Sequence, residues 1–429
     1  MEEWKQHVYR VGKKKENSET PPQSDDDIQK KRREIEPWLT AVFQSEHFSL
    51  LVGNGLTTAV AKSVGVNAAS MAEIKFGCDL EDKVNAYAAQ LAKRIGRGSP
   101  NIEDQIRAAN ALIDGLKVMG DSGRLKIWSD ALKVALEGLT KSVLACEKRI
   151  NDVIQSGKQE GSEGRNLLES FIMSFASRVA SRERPHIFTT NYDRLIEYGC
   201  DILGLHVLDR FVGVLNPVFR SSRLDIDLHY NPPGIRGEPR FLEGVVKMTK
   251  LHGSIDWCMQ IKDLRKYAIP FGAKENHSDL PKDPSNQAMI YPNAAKDMET
   301  LEYPYAELFR DFSSALCRPN SALVIYGYGF GDDHINRVIR DMLTIPSTHL
   351  VIISYDDKDK RIHGFCEQVN KDAQITLLIG EHYGSLQNLV DYYLPKPAID
   401  LITYRKTELL ERRGVKFSNP GDEDHDKTN

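Results

Sequence analysis

Four short stretches put groups capable of chemistry at what read as the ends of buried strands. The first, Ser49-Leu-Leu-Val-Gly-Asn-Gly-Leu-Thr57, runs from an apolar segment into Gly53, Asn54 and Gly55 and then into a helical pattern. Glycines there permit a tight turn and close backbone approach to an anion, and the helix start offers free N–H groups. The third glycine of a full dinucleotide fingerprint is missing, with Ala59 nearest its place, so this turn alone specifies little beyond a strand–helix connection. The second, Ile187-Phe-Thr-Thr-Asn-Tyr-Asp193, ends in polar groups. Asn191 there can cap the next helix, and it can also hold a water or a ribose hydroxyl. The third, Lys250-Leu-His-Gly-Ser254, sets His252 at a strand end. An imidazole so placed can serve as a general base near neutral pH, although a lone histidine is more often a surface or satisfied core residue. The fourth, Ile325-Tyr-Gly-Tyr-Gly-Phe-Gly-Asp-Asp-His-Ile-Asn336, carries three glycines in five residues before Asp332 or Asp333 opens a helix. That is more glycine than a turn needs, and such a loop can wrap a nucleotide's ribose and base.

These stretches need strands to carry them. Apolar runs of strand character are Phe48–Val52, His186–Thr189, Val245–Leu251, Ala322–Tyr326, Leu350–Ser354 and Ile375–Ile379. Most are apolar nearly throughout, which suits strands covered on both faces. Helical patterns follow several of them, at Leu56–Val66, Asp193–Leu203, Asp332–Leu343 and Lys358–Val369. The alternation predicts an α/β fold, a doubly wound and mostly parallel Rossmann-like sheet.

Residues 70–182 differ. Ile102, Ile106, Ala109, Ile113 and Leu116, then Leu125, Trp128, Leu132, Leu136, Leu139, Val143, Cys146 and Ile150, form apolar stripes at helical spacing. They predict an all-helical insertion after the first strand–helix unit, with the Gly157–Gly164 stretch as a loop inside it. The stripes are read as internal packing, with contact to another subunit as the alternative. Residues 259–288 are polar and read as an exposed excursion, a candidate lid. Residues 1–35 are charge-rich and read as a flexible or partner-ordered arm, and the acidic stretch after Asn419 reads as disordered. The resulting division is an arm and first helix at 1–40, a Rossmann-like domain at 41–69 and 183–395, the insertion at 70–182, and a tail at 396–429.

The 429 residues carry a net charge of −4, so nothing in the overall balance draws the chain to nucleic acid or an anionic membrane. Six scattered cysteines form no CxxC pair, which argues against a disulfide framework or a zinc knuckle and for free thiols. A charged N-terminus without a signal peptide then predicts a cytoplasmic protein. No apolar run approaches the roughly 20 residues of a membrane helix.

In their order along the chain the four motifs resemble the sirtuins, and more closely the divergent bacterial sirtuin-like proteins of antiphage defence. The resemblance spans roughly residues 48–66 and 186–394. It implies NAD as substrate, cleaved to nicotinamide and ADP-ribose by an NAD glycohydrolase, with no metal demanded. Gly53, Gly55 and Thr57 match the family's phosphate loop, which here includes Asn54. Asn191 and Asp193 match its Asn–Asp pair for the nicotinamide ribose and the reacting water, and His252 matches its base. Gly327, Gly329 and Asn336 match the loop for the adenosine half, and Phe330, Asp332 and His334 fall within the same run. The departures count against lysine deacylation. The turn after Gly53 lacks the deacylase continuation, the zinc-binding cysteine pairs are missing, and Thr190–Asn191 stands where deacylases have Gln–Asn. A deacylase or ADP-ribosyltransferase, and a non-catalytic NAD or ADP-ribose sensor, remain the alternatives. The resemblance further implies a HerA-type hexameric ATPase partner and a ring-like homo-oligomer, with no membrane and with nucleic acid met only through the complex.

Overall fold

The computed structural model describes residues 4–69, 73–94, 99–178, 182–222, 227–230, 240–260, 263–280, 287–289, 303–357 and 359–396. In chain order the strands are β1 (His7–Val11), β2 (Lys14–Ser18), β3 (His47–Val52), β4 (His186–Thr189), β5 (His206–Leu208), β6 (Phe211–Val212), β7 (Val218–Phe219), β8 (His229–Tyr230), β9 (Arg240–Phe241), β10 (Val245–Lys250), β11 (Gly253–Gln260), β12 (Asp263–Lys266), β13 (Gln287–Met289), β14 (Ser321–Tyr326), β15 (His349–Ser354) and β16 (Ile375–Ile379). Nine of them form the main sheet, in the order β2-β1-β16-β15-β14-β3-β4-β10-β5. From β16 to β5 all neighbours are parallel. The chain winds outward in both directions from β3, so the topological switch point lies where β3 meets β4 on one side and β14 on the other. Ligands of open parallel sheets bind at the carboxyl ends of such strands.

Alternate residues of each central strand feed opposite layers. Leu50, Val52, Val324, Tyr326, Val351 and Ile353 pack into one core, and Leu51, Leu323, Ile325, Leu350 and Ile352 into the other. The first core is closed by helices α1 (Asp25–Phe43), α2 (Asn54–Ser63), α6 (Gln159–Ala176) and α7 (Leu195–Ile202). The second is closed by α8 (Tyr305–Leu316), α9 (Asp333–Met342) and α10 (Arg361–Val369). The expected doubly wound sheet is present.

Between α2 and α6 lie α3 (Glu81–Arg94), α4 (Ile102–Met119) and α5 (Ser122–Gln155). The outer half of this helical segment has its own core around Trp128, Ile106 and Leu136. The inner half does not stand apart: Cys146, Ile150 and Ile154 of α5 and Leu168, Phe171 and Phe175 of α6 belong to the first core of the sheet.

Three sequence expectations are corrected. Residues 7–18 are not a flexible arm but a β-hairpin on the sheet edge, antiparallel to β16. All five residues of β1 are buried, and Tyr9 Oη donates to Glu34 of α1 at 2.8 Å. Gly157–Gly164 is not a loop throughout, because α6 begins at Gln159. Gly161 and Gly164 are helical and bare because their neighbours leave no room: a Cβ would lie 2.2 Å from Val153 O and 2.2 Å from Val64 Cγ1, respectively. Residues 259–288 are in part folded into a second, five-stranded sheet of order β13-β11-β12-β7-β6, with Leu264, Ile269 and Ala273 buried. Residues 281–286 and the predicted tail from 397 onward lie outside the described residues.

None of the six cysteines is in a disulfide. Among the described residues no helix is long and apolar enough to cross a membrane.

The turn after β3 and the turn after β14 are locked backbone to backbone. Gly53 N donates to Tyr326 O at 3.0 Å, and Gly55 N to Gly327 O at 2.9 Å. A Cβ on Gly53 would fall 2.5 Å from Gly327 O, and one on Gly327 would fall 2.6 Å from Gly55 Cα. Gly327 also has a φ of +62°, which disfavours any side chain. Gly327→Ala is therefore expected to lower stability by about 1–3 kcal/mol. Gly364→Ala, in α10 with nothing near its would-be Cβ, is expected to be neutral or mildly stabilising. Urea denaturation of both variants gives the comparison, and equal midpoints would contradict the contact.

Candidate active site

Two cavities open at the switch point. The larger, about 650 Å³, is lined by α2 residues Gly55, Ala59 and Lys62, by the turn Gly327–Gly329, and by Ser354–Asp357 after β15. The smaller, about 240 Å³, is lined by Asn54, Thr57, Thr190, Asn191, Asp193, His252 and Asp332. Gly327, Tyr328, Gly329 and Arg361 line both, so the two share one wall.

In the smaller cavity, polar groups from two turns form a directed chain. Thr57 Oγ1 donates to Asp193 Oδ2 at 2.7 Å. Its lone pair accepts from Asn191 Nδ2 at 3.1 Å, and the same amide nitrogen donates to Gly53 O at 3.1 Å. These two acceptors fix which end of the Asn191 amide is nitrogen. Asp193 spends its other oxygen on Leu195 N at 3.1 Å, so both of its oxygens are engaged in holding the turn. Asn191 does not cap α7; Arg194 occupies that position. Beneath them, Thr189 Oγ1 donates to Val52 O at 2.9 Å and accepts from Asn191 N at 3.1 Å, stitching the ends of β4 and β3 together.

The turn is held from below by buried charge. Lys250 Nζ donates to Asp193 O and, at 2.9 Å, to Glu197 Oε1. Arg194 is buried against Glu147 of α5, with Nη2 to Oε2 at 2.5 Å and Glu147 Oε1 accepting from Arg194 N at 2.7 Å. Burial pushes the Glu147 carboxyl up to about 7, with the Arg194 guanidinium pulling the other way.

His252 projects from the end of β10, where Gly253 (φ +77°) reverses the chain into β11. Its ring is 4% exposed. Its Nε2 stands 3.3 Å from Nε2 of His334, itself 8% exposed, with Phe309 edge-on to the second ring. A hydrogen bond between the two rings needs one nitrogen to donate and the other to accept. Among the described residues, His252, Asp332 and His334 form the one group whose ligand atoms could hold a metal ion, all lying within 4.8 Å of one another.

The sequence expectations divide accordingly. Asn54, Thr57, Thr190, Asn191, Asp193, His252, Gly327, Gly329 and Asp332 line the smaller cavity, and Gly55 lines the larger. Gly53, Phe330, His334 and Asn336 line neither. Gly53 is spent against the Gly327 turn. Phe330 is buried in the core beside Phe365, with ring centroids 4.8 Å apart. Asn336 pins the glycine-rich turn from behind, donating to Phe330 O at 3.0 Å, with its Oδ1 3.2 Å from Tyr328 Oη. His334 stands behind the cavity wall, with its Nε2 beside that of His252.

Several wall residues were not expected at the site, Val143, Cys146 and Ile150 reading only as part of an apolar helical stripe. Val143, Cys146, Glu147 and Ile150 of α5, with Phe271 from the polar stretch, close the smaller cavity. A charged Glu147 inside an apolar helical stripe was a readable sign of a buried partner. Arg361, the first residue of α10, carried no sequence signal, yet it is the cation at the junction of the cavities, held to Asp359 at 2.7 Å.

No curated protein matches the chain. Residues 185–374 match the family model of the SIR2-like domain. The match begins at β4, and the Gly53–Gly55 turn outside it is tied in through Gly327. The chain thus carries a SIR2-like domain on a Rossmann-like sheet, which supports a sirtuin-like family and an NAD-dependent activity in the broad sense.

Proposed function

We propose that the chain hydrolyses NAD at the nicotinamide–ribose bond, releasing nicotinamide and ADP-ribose. One observation carries the reading: Asn191 and His252, far apart in sequence, line one small cavity that shares a wall with a larger one at the same switch point. A dinucleotide needs two such compartments. Both volumes are of the scale of small-molecule sites or their subsites, roughly 300–1,000 Å³ in total.

The adenosine half occupies the larger compartment and the nicotinamide ribose the smaller. The pyrophosphate then lies at the junction, beside Arg361 and the Gly327–Gly329 backbone. The leaving group is already cationic, so its departure needs no acid. The C1′–N bond breaks with its electron pair going to nicotinamide, and a water oxygen bonds to C1′. The proton that water loses passes to His252. Asn191 Oδ1 accepts from that water or from a ribose hydroxyl, and Thr57 and Asp193 keep the amide from turning. The resemblance of the motifs adds an antiphage role, a HerA-type ATPase partner and a homo-oligomeric ring to this proposal. Co-expression with such an ATPase and measurement of the mass of the purified complex test that part.

Purified chain, alone and with its partner, is expected to release nicotinamide from NAD. His252→Ala is expected to lower kcat by about 10²–10⁴-fold. Absence of nicotinamide under both conditions refutes the proposal, and turnover that strictly requires an acylated peptide turns it into a deacylase. Arg361→Ala is expected to raise KM about tenfold to a hundredfold while kcat changes little, because a phosphate contact remote from C1′ binds ground and transition states alike. Thr57→Val keeps the side-chain shape but leaves Asp193 Oδ2 and Asn191 Nδ2 without their shared partner. It is expected to lower kcat more than it changes KM, measured as initial rates over a range of NAD concentration.

A further inference from the structure

The pair of imidazoles beside the smaller cavity has a geometry that proton sharing alone does not require. Nε2 of His252 and Nε2 of His334 are 3.3 Å apart. Two nitrogens each about 2.0–2.1 Å from a tetrahedral zinc ion stand about 3.3–3.4 Å apart, so the observed spacing is that of two ligands on one metal. Both rings are more than nine-tenths buried, which fixes their orientation. The third member, Asp332, is half-buried at the N-terminal end of α9 and does not cap its own helix with its side chain. One of its carboxylate oxygens lies within 4.8 Å of a ring nitrogen of each histidine. Two imidazoles and one carboxylate are a frequent set for a zinc ion that keeps one position open, and two of the three residues, His252 and Asp332, line the smaller cavity.

We propose that His252, Asp332 and His334 bind a divalent transition-metal ion, with zinc the best fit to the donors, and that the bound ion holds the site inactive. The inhibitory part rests on the NAD-hydrolysis reading; the binding part does not. Inhibition follows from two effects with the same sign. The metal takes the Nε2 lone pair of His252, so that nitrogen no longer accepts a proton from water. With the Asp332 carboxylate bound it also leaves a net positive charge beside the carbon at which an oxocarbenium-like centre develops, and like charge there raises the barrier. The three ligands come from two separate places, the turn after β10 and the start of α9, so the ion also clamps the two sides of the cleft together.

Metal-free full-length protein titrated with ZnCl2 in a calorimeter, and with CoCl2 by visible absorbance, tests the site without any turnover. One equivalent of zinc is expected to bind, and cobalt is expected to show the intense visible bands of a four-coordinate ion. Asp332→Asn and His334→Gln are each expected to weaken zinc binding at least tenfold, the smallest loss seen when even an outer partner of a metal ligand is removed. If His334→Gln fails to fold, as judged by its thermal melt, the half-buried Asp332→Asn decides alone. No saturable binding by the wild-type chain, or equal binding by Asp332→Asn, overturns the site. Where metal-free protein releases nicotinamide, stoichiometric zinc is expected to suppress the rate at least tenfold and EDTA to restore it; unchanged or faster turnover overturns the inhibitory role. Failure of the metal-free protein to cleave NAD counts against the hydrolysis reading and leaves the binding result to stand or fall by itself.

Discussion

The site depends on a contact between bare backbones. Gly53 and Gly55 meet Gly327 so closely that no side chain fits at any of the three, and two amide hydrogen bonds close the contact. Glycine in the first turn is therefore required by the neighbouring turn, whatever it does for a phosphate. The Gly55 N–H is already committed to Gly327 O, so the anion-binding capacity of the α2 start is smaller than a free helix end would offer. In the proposed binding mode the weight of holding a pyrophosphate therefore falls on the Arg361 side chain. It also explains how a turn lacking the third fingerprint glycine can serve: its task is to hold the β14 turn at a fixed place over the cleft.

A second layer of order rests on the first. Asn191 Nδ2 is anchored to Gly53 O, so the position of the Asn191 amide is set by the same turn that Gly327 holds. Thr57 then joins that amide to Asp193, and Lys250 fixes the carbonyl of Asp193 from underneath. Each link uses a donor and an acceptor in the only sense their chemistry allows, so the network has one arrangement rather than several. Asp193 emerges as a positioning residue. Each of its oxygens accepts a hydrogen bond that holds the turn.

Legibility in the sequence followed the range of the interaction. The central strands could be read because their burial on both faces is written locally, as continuous apolar runs. The four polar motifs could be read because each closes one of those runs. What could not be read was set by residues far away. The His7–Val11 strand is five residues beside a lysine run, and its burial comes from distant partners, β16 at the sheet edge and the two cores its side chains enter. Gly161 and Gly164 looked like loop glycines, but the backbone at Val153 and the side chain of Val64 excluded a Cβ within a helix. Phe330 and Asn336 sat in the right motif and still face the core, because the turn must be packed from behind before it can present Gly327 and Gly329 in front.

The helical segment shows why a division into sheet domain and insertion is too simple for this chain. Helix α5 runs 34 residues, about 50 Å at the rise of an α-helix. Its first half, with Trp128, Leu132 and Leu136, is core for the outer bundle. Its second half presents Cys146 and Ile150 to the sheet, and Glu147 to Arg194 in the loop that carries Asn191. An ion pair buried this deeply is a poor source of net stability, because desolvating both charges offsets most of their attraction. Its effect is on placement. The Arg194 guanidinium has one well-satisfied position, between Glu147 and the carbonyls of Ile269 and Pro270, and that position fixes the backbone two residues beyond Asp193's neighbour Tyr192. Helix α5, the segment after β12 and the turn that carries Asn191 are thereby keyed to one another through a single side chain, and the wall of the smaller cavity is built from all three.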